Sequence, residues 1–433
     1  MRGYRIVQMQ PTREAYIEFM GRCQQAFRPF TPIDLPEFFK GRQDRVELLV
    51  SELTTPGRQV AIYGERGVGK TSLAMLAYFF AGFDDEETYF VRCEEESTYE
   101  TIFGQFLEKA GAAYLPNGVE TETSSGVGVR TGPLSLLAGR KTRLKQQPVD
   151  SARSIGPSVV LGRFQDRHGL LILDEYDRVR DAPTHTRLAE TLKHFSDADS
   201  KTKIIVVGVA ETLGQLIGEH ESLTRCLAQI KLDRMTPDEL GEIVRAGEDR
   251  VEVAFQETLR RKIIALSDGF PFYTHLLCRY ATEEAGKVLL RNPDAKVVVT
   301  ETEYRKAIRR AIETAEGALR ENYQKAVVTV KRKTEMFKYI LWAVAYSEHL
   351  EVQVKEIAHN IGLLTGEAPR VESLGNYLGP LTKVEKGRVL VRVRQGYYKF
   401  TNPLMRAYIR LILDEHNVAA GGQLTFPWMR EAR

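Results

Sequence analysis

Three features of the chain predict an α/β fold with a five-stranded parallel sheet. Apolar strand-like runs alternate with helical patterns over the first half of the chain. A glycine-rich turn, Gly64-Glu65-Arg66-Gly67-Val68-Gly69-Lys70-Thr71, joins the first such run (Val60-Ala61-Ile62-Tyr63) to a helix-compatible stretch. A later run, Leu170-Leu171-Ile172-Leu173, reads as a buried central strand and ends in Asp174-Glu175.

Composition sets the outer bounds. The 433 residues allow two or three domains at roughly 100–200 residues each. A hydrophobic share of 43% beside 27% charged residues belongs to a globular protein. The formal net charge of +3 creates no global field toward nucleic acid or membranes, so any such binding rests on local patches. Cys23, Cys93, Cys226 and Cys278 form no C-x-x-C pair, which argues against a zinc site or a disulfide framework and fits a reducing cytoplasm. There is no run of about 18 apolar residues, and MRGYRIVQMQ lacks the apolar core of a signal peptide, so a soluble, cytoplasmic protein without a membrane partner is expected.

Residues 1–38 read as an N-terminal extension whose prolines, among them Pro29, Pro32 and Pro36, favour an extended entry over a helix. A helix then starts near Phe39-Lys40-Gly41-Arg42, with Val46, Leu49 and Val50 on one face. The glycine-rich turn has the G-x-x-x-x-G-K-[ST] pattern of a phosphate-binding loop. Gly64, Gly67 and Gly69 let the backbone curl so that several N–H groups face one anion, and the next helix adds the positive end of its dipole. Lys70 would reach the β- and γ-phosphates and Thr71 would ligate Mg²⁺, so Gly64, Glu65, Arg66, Gly67, Val68, Gly69, Lys70, Thr71 and Ser72 are the candidate nucleotide-binding stretch. The plain alternative is a glycine-rich turn between a strand and a helix.

A strand at Thr88–Cys93 and a helix through Ile102, Phe103, Phe106 and Leu107 continue the β-α rhythm. Between 113 and 168 it breaks. Asn117 to Gly132 are rich in Gly, Ser and Thr, and the segment carries Arg130, Arg140, Lys141, Arg143, Lys145, Arg153, Arg163 and Arg167 against Asp150 and Asp166. It reads as a flexible basic insertion that touches a phosphate backbone or an acidic partner, or as a solvated insertion of no special role. The strand ending in Asp174-Glu175 comes next. At the carboxyl end of such a strand Asp174 would sit beside Thr71 and hold Mg²⁺, and Glu175 would be the base that orients and deprotonates water. A strand at Lys203–Ala210 precedes Glu211 and Thr212, and Arg225 stands just before a last strand, Leu227–Leu232.

The core is therefore assigned to 39–235. Thr236 as N-cap, Pro237 at the first helical position and Glu239 at the third open a helical lid over 236–328. The lid includes Asp268-Gly269-Phe270-Pro271 and a helix from Glu301 to about Tyr323 with Arg305, Lys306, Arg309 and Arg310 on a solvated face. Helices through Phe337–Ala345, around Val354–Ala358 and around Val371–Leu378, then an alternating hairpin with Gly396 at its turn, predict a winged helix over 329–415. Its third helix offers Arg370, Asn376, Tyr377 and Lys383, opposed by Glu367 and Glu372; the hairpin offers Arg388, Arg392, Arg394 and Lys399. Residues 416–433 form a tail in which Phe426 and Trp428 are the docking candidates.

These motifs resemble AAA+ modules of the origin-initiator type and the related STAND ATPases. The resemblance runs over residues 39–410 and rests on the phosphate loop, the Asp-Glu strand and the Gly269-Phe270-Pro271 turn. It implies a base pocket at Gly41 and Arg42, a proline at Pro271 that packs near the nucleotide, and γ-phosphate sensing near Glu211 or Thr212, where the usual Asn is absent. It also makes Arg225 a candidate to reach a neighbouring subunit's γ-phosphate; a surface ion pair is the alternative. The usual sensor arginine beside Pro271 is missing, which favours the STAND side.

The expected function is an ATPase switch that uses ATP and Mg²⁺, with catalytic roles for Glu175, Lys70 and Arg225 and with self-assembly as a homo-oligomer. Two alternatives stand beside it. One is an ATP-dependent regulator that loads on duplex DNA through the hairpin or the basic insertion; the other is a non-catalytic nucleotide-binding scaffold or defence-type sensor that recruits a protein effector.

Overall fold

The structure is a computed structural model that describes residues 11–111, 155–217, 223, 225–328, 335–419 and 426–427. It opens on a helix, α1 (Pro11–Ala26), rather than on extended chain. The extended entry begins only after α1, because Pro29, Pro32 and Pro36 all lie beyond its last turn. The next helix, α2 (Gln43–Thr54), buries Val46, Leu49 and Leu53, the stripe that its apolar spacing predicts save that Leu53 replaces Val50.

The core alternates strands and helices: β1 (Gln59–Gly64), α3 (Lys70–Met75), α4 (Ala77–Ala81), β2 (Thr88–Arg92), α5 (Tyr99–Lys109), α6 (Pro157–Phe164), β3 (Leu170–Asp174), α7 (Ala182–Asp197), β4 (Lys203–Val209), α8 (Leu213–Ile217) and β5 (Leu227–Leu232). The five strands are all parallel, in the order β2-β3-β4-β1-β5. Alternate residues feed two cores. Val60, Ile62, Ile172, Ile205 and Val207 face one, and Ala61, Tyr63, Leu171, Leu173 and Val206 face the other. Burial on both faces is why β1 and β3 are continuous apolar runs. Because the strands are parallel, their carboxyl ends share one edge, and Gly64 and Asp174 meet there.

The basic segment is partly corrected. Residues 112–154, with Arg130, Arg140, Lys141, Arg143, Lys145 and Arg153, lie outside the described residues. Beyond them α6 belongs to the core: Ile155, Val160 and Phe164 are buried, Arg163 donates to the Ala110 carbonyl, and Arg167 pairs with Glu87 at 2.7 Å.

Past β5 come α9 (Pro237–Val251), β6 (Val253–Phe255), α10 (Glu257–Leu266), α11 (Pro271–Gly286), β7 (Val297–Val299), α12 (Glu301–Glu313) and α13 (Gly317–Val327). Thr236 and Glu239 form the expected capping box. The single helix expected from Glu301 is two, broken at 314–316, and its solvated face is paired: Arg309 with Glu415 at 2.8 Å and Arg310 with Glu283 at 2.6 Å.

The last part is α14 (Met336–Tyr346), β8 (Val352–Gln353), α15 (Val354–Thr365), α16 (Val371–Leu381), β9 (Leu390–Arg394), β10 (Tyr397–Phe400) and α17 (Leu404–Ala419). β10 pairs antiparallel with both β8 and β9, and Gly396 makes the hairpin turn at φ +77°. Two elements escape the sequence reading. β8 is too short to carry a period, and α17, packed against both α12 and α14, buries Arg406, Arg410 and Asp414 along with its apolar residues. Phe426 is buried against Tyr346; Trp428 lies outside the described residues. No helix among the described residues is long and apolar enough to cross a membrane.

Helix α1 is seated on α9 and α11 by glycines. A Cβ at Gly247 would lie 2.1 Å from the Phe27 ring, which is fully buried and has nowhere to go. Gly247→Ala is therefore expected to lower stability by about 1–3 kcal/mol through overpacking, although alanine gains about 1 kcal/mol of helix propensity. Chemical denaturation measures the outcome.

Candidate functional site

Gly64, Gly67 and Gly69 have φ values of +147°, +86° and +94°, the left-handed region that glycine enters at no steric cost. At Gly64 space alone also demands it, since a Cβ would meet the Leu232 carbonyl oxygen at 2.1 Å. The loop so formed leads into α3 with its N–H groups at the carboxyl edge of the sheet. Lys70 Nζ donates to the carbonyls of Gly64 (3.1 Å) and Glu65 (2.6 Å). Burial pushes the Lys70 ammonium down to about 8, while the carboxylates of Asp177, Asp174 and Glu65 pull it back up.

The two residues expected to share a metal ion are neighbours. Thr71 Oγ1 lies 3.1 Å and 3.3 Å from the Asp174 carboxylate oxygens. Burial raises the Asp174 pKa against the opposing hydrogen bonds from the Glu175 backbone and Thr71. A buried carboxylate beside a hydroxyl at the mouth of a glycine cradle is a donor set that suits a hard divalent cation such as Mg²⁺. Glu175 stands just outside, half-exposed, at φ +54°, a conformation that a non-glycine residue holds only against a cost. Its carboxylate is 3.0 Å from Arg178 Nη1. Asp177 ties this turn to β4 by accepting from the Val209 N–H at 2.7 Å.

These groups line a cavity of about 650 Å³ that also takes in Pro271 at the start of α11. The sequence reading missed Arg28, Pro29, Phe272 and His275, which line it as well, and Arg178. His275 lies one helical turn beyond Pro271, the only hint available, and the rest are brought in by folding.

Other expected residues lie elsewhere. Gly41 and Arg42 do not line the cavity. The Gly41 N–H donates to Glu242 (3.0 Å), and Arg42, 5% exposed, donates to the carbonyls of Asp233 (2.6 Å) and Val68 (3.4 Å), propping the loop from behind. Glu211 pairs with Lys399 of β10 at 3.0 Å, and Thr212 accepts from the Gln215 N–H at 3.4 Å, so neither turns to the loop. Arg225 is exposed beside the start of β5, which pairs with the start of β1. A rise of about 3.3 Å per residue puts it roughly 20 Å from Gly64, outside this chain's own site. Arg66, by contrast, lines the cavity and reaches Glu316, just before α13, at 3.0 Å. Arg388, Arg392 and Arg394 are exposed on or beside the hairpin, as expected.

A largely buried row of ion pairs, unread in the sequence, leaves this site. Glu65 of the loop takes Arg234 Nε at 2.6 Å, Arg234 Nη1 donates to Asp268 at 2.6 Å, and Asp268 takes Arg410 Nη1 of α17 at 2.9 Å. Arg410 and Arg406 also donate to the Ser347 carbonyl that ends α14, at 3.1 and 2.7 Å. The Arg234 guanidinium lies 4.5 Å over the Phe270 ring. Beside this row the first residue of α17 touches the loop, since a Cβ at Gly67 would stand 3.0 Å from Leu404. Asp268→Ala would remove the carboxylate that Arg234 and Arg410 share in this buried cluster, and a loss of about 3–5 kcal/mol is expected; thermal and urea unfolding check it.

The family described as "AAA domain" matches residues 55–216. Among solved structures, a Walker-type ATPase of Pyrococcus abyssi is 16% identical with a TM-score of 0.49, covering 88% of this chain and 99% of its own. The ORC2 protein of Aeropyrum pernix is 13% identical with a TM-score of 0.46, covering 92% and 98%. RuvB of Thermotoga maritima is 14% identical with a TM-score of 0.41, covering 91% and 99%. No curated protein matches the chain. The stretch that matches the AAA domain family, residues 55–216, holds both the phosphate loop and the Asp174 strand.

Proposed function

We propose that the chain is an ATP-driven switch of the AAA+/STAND type, in which a core (39–235), a helical lid (236–328) and a winged helix (329–415) change their relative setting with the nucleotide. The observation that carries this reading is the row of ion pairs Glu65-Arg234-Asp268-Arg410, because one end sits in the phosphate loop and the other in the helix that closes the winged helix. Anything that moves Glu65 is felt at α17 through charges that are costly to unpair.

In this reading the loop N–H groups and Lys70 hold the triphosphate, and Thr71 and Asp174 hold the magnesium ion. Bound there, that ion would neutralise phosphate charge and orient the γ-phosphate. Glu175 would accept a proton from the attacking water, and Arg178 keeps the Glu175 carboxylate in place. A ligand shifts such an equilibrium only by its differential affinity for the two states, so hydrolysis resets it. Arg225, on the face away from the loop, would act only on a second copy of the chain in a homo-oligomer.

The exposed arginines of the hairpin favour a second reading, that of a regulator loading on duplex DNA. Arg392 and Arg394 stand clear of the body, with Arg394 stacked 4.0 Å from Tyr397. Binding should fall steeply with salt, and changing both arginines to Ala should weaken it and lower the slope by about 2.

For the favoured reading, Lys70→Ala is expected to abolish ATP binding, and Glu175→Gln to keep binding while slowing hydrolysis by about 10²–10⁴-fold. Calorimetry and phosphate release measure both; unaltered binding by the first variant, or unaltered turnover by the second, sinks the corresponding assignment.

A further inference from the structure

A second cavity, of about 350 Å³, shares no lining residue with the one at the phosphate loop. Its apolar lining comes from Met235, Pro237 and Leu240, at and just before the start of α9, and from Ile264 and Ala265 of α10. Arg406 and Arg410 of α17 line it too, together with Asp268, Gly269 and Glu348.

The charges around this cavity do not pair off. Three guanidinium groups, those of Arg234, Arg406 and Arg410, converge on the one carboxylate of Asp268. Its Oδ2 takes Arg234 Nη1 at 2.6 Å and its Oδ1 takes Arg410 Nη1 at 2.9 Å. Arg406 Nε is left 3.7 Å from Oδ1, beyond hydrogen-bond reach. Glu65 is engaged by Arg234. Glu348 is exposed, and its charge is felt by both α17 arginines, yet among the described residues it makes an ion pair with neither.

Arg406 is thus a charge only 6% exposed with no carboxylate at hydrogen-bond distance. Its Nη2 donates to the carbonyls of Ser347 at 2.7 Å and Glu348 at 3.0 Å. Nε is sealed from solvent and unpartnered; Nη1 also lacks a partner among the described residues but is not sealed. Buried charges are ordinarily paired. A guanidinium edge left over in the lining of a cavity marks a place for an anion.

We propose that this cavity is a second ligand site, for a small oxyanion, a carboxylate or a phosphate, carried on a short apolar group. Arg406 Nη1 donates to the oxyanion, and Met235, Leu240 and Ile264 pack against the apolar group. The volume lies at the lower end of the roughly 300–1,000 Å³ of small-molecule sites, so the ligand is small. This site does not depend on the nucleotide reading of the phosphate loop.

The test is a saturation-transfer NMR titration of the full chain with hexanoate and with hexyl phosphate, one for each head group, and with hexanol, which has the tail without the charge. At least one oxyanion is expected to bind about tenfold more tightly than hexanol, the worth of one charge-assisted hydrogen bond. Arg406→Met keeps the length of the side chain and removes its charge. Ala265→Phe fills the cavity from α10 and leaves the ion pairs in place, which keeps the test open should Arg406→Met fail to fold. Each is expected to weaken oxyanion binding by about tenfold or more, whereas Lys70→Ala, at the other anion site, is expected to leave it unchanged. Equal binding of hexanol, no binding of either oxyanion, or undiminished binding by Ala265→Phe or by folded Arg406→Met overturns the proposal. Loss of binding in Lys70→Ala does so as well, because it moves the oxyanion to the phosphate loop.

Discussion

Asp268 joins side chains from distant stretches of the chain. It sits in the left-handed region at φ +51°, in the turn between α10 and α11, and its carboxylate takes Arg234 from the end of the core and Arg410 from α17, with Arg406 at 3.7 Å. Burial lowers the pKa of Arg406 and Arg410 and the charge of Asp268 opposes that lowering. A buried cluster of this kind contributes little net stability against an apolar substitute, yet it tolerates few alternative arrangements, because each misplacement strands a charge. It therefore links the phosphate loop, the turn between α10 and α11, and α17 to one another.

The second constraint is the parallel sheet. With β1 and β3 separated by β4, parallel pairing brings Gly64 and Asp174 to the same edge although they stand far apart in the sequence. The acidic turn after β3 is then fastened to the end of β4 by Asp177 and the Val209 N–H. Glu175 is held in a strained conformation between them, with Arg178 on its carboxylate. The edge that bears the cavity is built from strand ends, and the entry segment and α11 supply the rest of its lining.

Much of this was legible. Buried parallel strands must be apolar throughout, so β1, β3 and β4 announce themselves; a phosphate loop needs glycines and a lysine at fixed spacing; a helix start needs its cap, as at Thr236. Less was legible where tertiary contact overrides local pattern. The helix α1 was hidden by the prolines just beyond it, and α17 by being buried on nearly all sides. Arg42 looked like a ligand contact and instead supports the Val68 carbonyl, since a buried guanidinium must find oxygen acceptors wherever the fold offers them.

The sequence by itself determined the α/β core and the phosphate loop, because each depends on short-range spacing. Only the tertiary structure decided which distant side chains complete the site. Arg28 and His275 come to one cavity, and Arg234, Asp268 and Arg410 to one cluster, from points far apart in the chain. The physical reason is that an unpaired charge or an apolar wall has no period along a chain; it is satisfied in three dimensions, where packing chooses the partner.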